Sequence, residues 1–133
     1  LIHDAARPFP PLEAMRAAID AARRQGGAIL AVPVRDTLKH QHDGEGETTI
    51  GTTVPRAGLW QAQTPQVFRR ALIRDLFEML AHSTPDLEVT DDAAVCERFN
   101  QSVVLIEGSS TNIKITRPED ILMAEALLGQ NLV

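Results

Sequence analysis

The amino-acid sequence predicts an α/β domain with a projecting β-hairpin. Short apolar runs of strand length alternate with stretches of helical periodicity, and the first such unit reads strand, helix, strand. That order argues for parallel strands joined by right-handed crossovers, with ligands expected just beyond the carboxyl ends of the strands. The size agrees, because 133 residues with 44% hydrophobic and 23% charged composition are ordinary for one globular domain.

Each element has its own local signal. Leu1 and Ile2 read as the end of a buried strand whose beginning is missing, which points to a truncated chain. A polar, proline-rich turn follows from Asp4 to Pro11. Leu12, Met15, Ala18, Ile19 and Ala22 then recur at helical spacing, with Pro10 and Pro11 suited to the helix start and Gly26-Gly27 to its stop. Ala28 to Val32 is the next strand. Asp36 to Lys39 and Thr48 to Val54 are β-prone segments flanking a charged tip, His40 to Glu47, and predict an arm over about residues 36–62. Its β-branched content is too polar for a core strand and suits pairing outside the body, as in a dimer contact.

Thr64-Pro65 has the form of a capped helix start, and Phe68, Leu72, Leu76 and Leu80 then share one helical face. Thr90 is placed to cap a short second helix, with Asp91 and Asp92 in its positive first turn. Val103 to Ile106 reads as a buried strand and Ile113 to Ile115 as a shorter one. Thr116 and Glu119 fit a capping box that opens a final helix carrying Ile121, Leu122, Ala124, Glu125 and Leu128, closed by Gly129.

Charge and composition exclude several function classes. Thirteen Lys and Arg against eighteen Asp and Glu leave a net charge of -5, which repels a nucleic-acid backbone. No apolar run approaches the roughly 20 residues that span a bilayer, and no leader pattern is present, so a membrane partner is not expected. The single Cys96 has no intramolecular partner, which fits a reducing, cytoplasmic setting. His3, His40, His42 and His82 lack zinc-ligand spacing, and neither Ser83 nor Ser102 sits in a nucleophile elbow. Residues 1–133 contain no P-loop.

The chemistry-bearing candidates are Asp4, Arg7, Lys114 and Arg117, all at loops or strand ends where a rigid scaffold presents charge to a small ligand. Isolated charges at such places are more often turn-formers or solvated groups. The run Asp4-Ala5-Ala6-Arg7-Pro8 adds some weight, since two small residues between an acid and a base leave space for a ligand or metal. Lys114 alternates with Ile113 and Ile115, consistent with a phosphate-facing cation or with the wet face of an edge strand. Asn112 beside it suits turn chemistry or a ligand contact. Asp91 and Asp92 fit a metal pair less well than they fit helix-dipole partners.

Five strings, LIHDAARPF (Leu1 to Phe9), VPVRDTLK (Val32 to Lys39), VPRAGLWQAQTPQVF (Val54 to Phe68), TDDAAV (Thr90 to Val95) and NIKITRPED (Asn112 to Asp120), occur in one order over nearly the whole chain. Together they resemble the 2-C-methyl-D-erythritol 4-phosphate cytidylyltransferase family. The resemblance implies a Rossmann-like nucleotidyltransferase fold, here truncated at the N-terminus, because the family's glycine-rich, Arg- and Lys-bearing CTP loop has no counterpart in these residues. It also implies a homodimer formed through the arm, and Mg²⁺-dependent conversion of CTP and 2-C-methyl-D-erythritol 4-phosphate to a cytidine diphosphate product and pyrophosphate in isoprenoid precursor synthesis.

By the same resemblance, Asp4 contacts the acceptor's hydroxyls and helps hold Mg²⁺, Arg7 positions the acceptor, and Lys114 grips its phosphate. Thr37, Arg56 and Thr64 complete the acceptor site, with Thr37 and Arg56 reaching across to a partner subunit, and Ala5 belongs to the same binding turn. Pro55 departs from the family pattern and stiffens the chain just before Arg56. Such chemistry needs no activated side-chain nucleophile, because the attacking phosphate is already ionised and positioning with charge neutralisation suffices. Two alternatives accompany this reading: a ribitol-5-phosphate cytidylyltransferase, which shares several of the strings, and a noncatalytic dimerisation and acceptor-binding fragment that is inactive alone.

Overall fold

Ala28 to Ala31 form an apolar run buried on both faces, and that run becomes the centre of the main sheet. A computed structural model describes residues 1–42, 44, 46–83 and 89–133. In it, α1 (Leu12–Gln25) leads into β1 (Gly27–Pro33), which pairs parallel with β5 (Val104–Glu107) and antiparallel with β4 (Trp60–Phe68). Between β1 and β4 the chain forms a separate antiparallel hairpin of β2 (Leu38–Gln41) and β3 (Ile50–Val54). Three helices complete the domain: α2 (Arg70–Ser83), α3 (Asp92–Arg98) and α4 (Pro118–Gly129).

The period-2 alternation of β1 divides the core in two. Ala28 and Leu30 face α1 and pack with Ala18, Ala21, Ala22 and Val67. Ile29 faces the other way, toward Phe68, Leu76, Ala93, Val95 and Cys96. Small residues on the buried face of α1 let the helix lie close to the sheet. The helix ends where expected, because Gly26 adopts φ 102°, a conformation open to glycine, and its N–H bonds the Ala22 carbonyl at 2.8 Å.

Several sequence expectations are corrected. The segment at Leu1 to His3 was expected to pair with Ala28 to Val32, yet Ile2 exchanges two 2.8 Å bonds with Gln66, so β4 lies between the two segments. Leu1 and Ile2 are exposed rather than buried. Leu12, expected on the core face of the first helix, is also exposed.

Thr64-Pro65, expected to open a helix, is a cis peptide inside β4, and α2 begins only at Arg70. Pro65 has no N–H for a ladder, and it sits where the β1–β4 register shifts between Ile29 and Ala31, a place where the sheet asks for no donor. Leu72, Leu76 and Leu80 lie on α2 and pack on the core as expected, while Phe68 packs from the strand end.

The cap of α3 is Asp91, whose Oδ1 accepts from Ala94 N at 2.9 Å, rather than Thr90. The strand expected at Val103 to Ile106 forms as β5, Val104–Glu107, at the edge of the three-stranded sheet with alternating burial rather than full burial. Ile113 to Ile115 forms no strand; Ile115 N bonds the Ala6 carbonyl at 2.8 Å and ties this segment to the N-terminal turn instead. The box that opens α4 uses Asp120 in place of Glu119, because Asp120 Oδ2 accepts from Thr116 N and Arg117 N, both at 2.8 Å.

The hairpin projects as an arm with every residue of β2 and nearly all of β3 exposed. Its root is the pairing of Pro33 with Trp60 and a 3.0 Å bond from Val34 N to the Leu59 carbonyl. Residues 60–62, expected at the far end of the arm, therefore belong to the main sheet as the start of β4. Positions 43 and 45 of the tip lie outside the described residues.

Candidate functional site

The turn after Ile2 is closed by a 3.0 Å bond from Arg7 N to the Asp4 carbonyl, with Ala5 and Ala6 at its apex. Their small side chains leave the acid and the base on the turn free to face one direction. Ala5 is exposed. The segment tied down by Ile115 brings Lys114 over the turn. Lys114 Nζ lies 3.1 Å from Asp4 Oδ2. Arg7 Nε lies 3.4 Å from the same oxygen, close enough for an ion pair although its N–H has no well-aligned hydrogen-bond acceptor.

The Asp4 carboxyl is held below the ordinary carboxylate range. The Lys114 hydrogen bond is the largest cause, partial burial opposes it, and the charges of Lys114 and Arg7 add to the lowering. Asp4 alone faces two cations, while Asp91, whose carboxylate also lines the cleft, brings its formal charge to zero. The two cations give a small anion its point of attachment.

Polar residues of β4 and the 109–112 turn hold this cluster in place. Asp4 N donates to Thr64 Oγ1 at 2.9 Å, and Arg7 Nη1 donates to the Asn112 carbonyl at 2.7 Å. Asn112 is fully buried and donates through Nδ2 to the Thr64 carbonyl at 2.9 Å. Gln66, also buried, donates to Asp91 Oδ2 at 2.8 Å and accepts from Ala93 N at 3.0 Å, so both oxygens of Asp91 serve structural bonds. The result is a cleft of about 320 Å³ whose walls include Asp4, Arg7, Thr64, Gln66, Asp91 and Lys114.

Residues 1–130 match the family profile of IspD: 2-C-methyl-D-erythritol 4-phosphate cytidylyltransferase. The chain belongs to this family. It is 44% identical over 129 residues to the 2-C-methyl-D-erythritol 4-phosphate cytidylyltransferase of Syntrophus aciditrophicus, covering 96% of this chain and 53% of that protein. It is 47% identical to the bifunctional enzyme IspD/IspF of Desulfotalea psychrophila, covering 98% of this chain and 32% of the relative. The crystal structure of the 2-C-methyl-D-erythritol 4-phosphate cytidylyltransferase from Thermus thermophilus superposes with a TM-score of 0.83 at 40% identity, over 96% of this chain and 60% of that one. The chain thus spans about half the length of the single-function curated relatives it matches.

Within this IspD-family chain, Asp4, Arg7, Thr64 and Lys114 converge on one cleft. Thr37 and Arg56 do not line it; both are exposed on the arm segment, where Arg56 donates to the Arg35 carbonyl. Arg117 pairs with Glu119 at 3.9 Å beside α4 and does not line the cleft. Sequence reasoning missed His3, Gln63 and Gln66 as parts of the site, and weighed Asn112 mainly as a turn residue. The one signal available was polar residues placed within a stretch otherwise fit for the core.

Proposed function

We propose that this chain supplies the acceptor-binding half of a cytidylyltransferase that joins CTP and 2-C-methyl-D-erythritol 4-phosphate, releasing pyrophosphate, in isoprenoid precursor synthesis. The observation that carries the reading is the sharing of Asp4 Oδ2 by Arg7 and Lys114, all three lining the cleft. A polyol phosphate is complementary to it: the phosphate meets Lys114 and Arg7, and hydroxyls donate to the Asp4 carboxylate. The acceptor phosphate is anionic at neutral pH, so these side chains need only orient it and offset its repulsion from a second polyanion as the two reactants come in line.

Mg²⁺ is part of this proposal. Among the described residues no group of three or more His, Cys, Asp or Glu converges, so those residues offer no all-protein cage. Asp4 fits a lesser role, because its ion pairs with Arg7 and Lys114 both use Oδ2, and Mg²⁺ is commonly held by one carboxylate together with substrate phosphates and water. Bound there, the ion would neutralise triphosphate charge. No helix among the described residues is long and apolar enough to cross a membrane. The exposed β2–β3 arm supports a homodimer in which Thr37 and Arg56 approach the partner's cleft, and the enzyme is proposed to act in the cytoplasm.

The test is a pyrophosphate-release assay on the full-length natural protein with CTP, Mg²⁺ and either methylerythritol phosphate or ribitol 5-phosphate. Turnover with the first at least tenfold above the second is expected; preference for ribitol 5-phosphate would replace the acceptor assignment, and silence with both would remove the reading. The 133-residue chain alone is expected to give no turnover, since it contains no glycine-rich triphosphate loop.

A further inference from the structure

We propose that His3 is a positioning residue for the acceptor cleft, its imidazole clamping both ends of the Asp4–Arg7 turn. This inference rests on the acceptor-site reading above. His3 Nε2 lies 3.0 Å from the Arg7 carbonyl oxygen. His3 Nδ1 lies 2.9 Å from Thr64 Oγ1, the same oxygen that accepts from Asp4 N at 2.9 Å. One ring therefore touches the exit of the turn directly and its entrance through a single hydroxyl.

Taking the imidazole with one ring proton, the donor inventory selects one arrangement. A carbonyl oxygen only accepts, so Nε2 carries the ring proton toward Arg7. Thr64 Oγ1 accepts the Asp4 N–H and has one proton left, which it donates to Nδ1. The relay runs from Asp4 N–H to Thr64 O–H to His3 Nδ1, and from His3 Nε2–H to Arg7 O, with every partner matched in the neutral ring. The two residues it braces are those whose side chains meet at Asp4 Oδ2.

A residue needed only for folding would not act so locally. The turn keeps independent anchors without the imidazole: the Ile2–Gln66 pair, the Arg7 N to Asp4 O bond, the Arg7 Nη1 to Asn112 O bond and the Ile115 N to Ala6 O bond. Loss of His3 removes the brace and leaves the frame. The consequence is a looser spacing of the Asp4 carboxylate and the Arg7 guanidinium, felt by whatever ligand they hold together.

The experiment measures steady-state kinetics of the full-length natural protein with His3→Ala, His3→Asn and Thr64→Val, singly and with His3→Ala combined with Thr64→Val. Melting curves accompany each variant. For His3→Ala the expected result is a KM for the polyol phosphate raised about tenfold and a KM for CTP within about twofold of wild type. His3→Asn keeps an acceptor for the Thr64 hydroxyl while dropping the Arg7 bond, so a rise of about threefold is expected, and it carries the comparison if the alanine variant does not fold. Because both residues act through one relay, His3→Ala should cost less on the Thr64→Val background than alone. Equal changes in both KM values, a fall in melting temperature with unchanged kinetics, or strict additivity would overturn the positioning role. Absence of transfer in the wild type would instead overturn the acceptor-site reading on which it stands.

Discussion

Replacing Lys114 by alanine separates binding from stability. The Lys114 and Asp4 side chains are 47% and 34% exposed, so their mutual ion pair is screened by water and contributes about 0–1 kcal/mol to folding. A melting temperature within about 4 °C of wild type is therefore expected. The proposed acceptor phosphate is a different partner. A hydrogen bond to a charged group is worth about 1.5–3 kcal/mol, which is roughly a 10- to 150-fold change in affinity. The upper end is expected, because without Lys114 the bound phosphate also faces an Asp4 carboxylate offset by Arg7 alone. Calorimetric titration of wild type and Lys114→Ala with the polyol phosphate and with CTP provides the comparison. Weakening of both ligands by the same factor would refute the assignment of this cation to the acceptor.

Three further expectations concern the groups around the cleft. Asp4 is lowered from its ordinary value of 3.8, chiefly by the Lys114 hydrogen bond, so its ion pairs stabilise the fold fully above the unfolded value and lose that contribution only as pH falls through the folded one. A carboxyl carbon titration by NMR should place the Asp4 midpoint below 3.8, and a higher midpoint would contradict the pairing. Asp92 is raised, first by burial and then by the neighbouring Asp91 charge, so the folded state binds the proton more tightly and its ionised form costs stability. Asp92→Asn should raise the melting temperature at pH 7, the gain vanishing near pH 3; a lower melting temperature at neutral pH would be the wrong sign. Gln66→Leu strands Asp91 Oδ2 and Ala93 N, and denaturant titration should show a loss of about 2–4 kcal/mol rather than a neutral swap.

What could be read from the sequence followed local rules. Gly26-Gly27 marks the end of α1 because a left-handed cap is a one-residue event. The hairpin is marked by β-branched residues around a charged tip, and its antiparallel pairing of Leu38 with Val54 follows. The acid and base of the Asp4–Arg7 turn and the distant Lys114 were also found, although their meeting at one oxygen depends on how residues 112–115 are tied to the turn.

The unread part depended on partners far along the chain. Thr64-Pro65 carries the local signs of a helix start, and only the irregular register against β1 lets a proline sit inside that strand. Ile2 was matched to the wrong neighbour because an apolar pair says nothing about which edge it joins, and β4 intervenes from more than sixty residues away. Gln63, Gln66 and Asn112 are buried amides that donate to Ser109, Asp91 and Thr64, with Asn112 Oδ1 left without a partner, so hydrophobic patterning does not reveal them. His3 lacks metal-ligand spacing in the sequence, and its partners are a carbonyl and a hydroxyl, which no local pattern marks.

A crystal structure of the full-length natural protein with bound 2-C-methyl-D-erythritol 4-phosphate is the most direct measurement. It should show the phosphate within hydrogen-bond reach of Lys114 Nζ and at least one polyol hydroxyl on the Asp4 carboxylate. A ligand seated elsewhere, with Asp4, Arg7 and Lys114 still bonded only to each other, would contradict the assignment of this cleft to the acceptor.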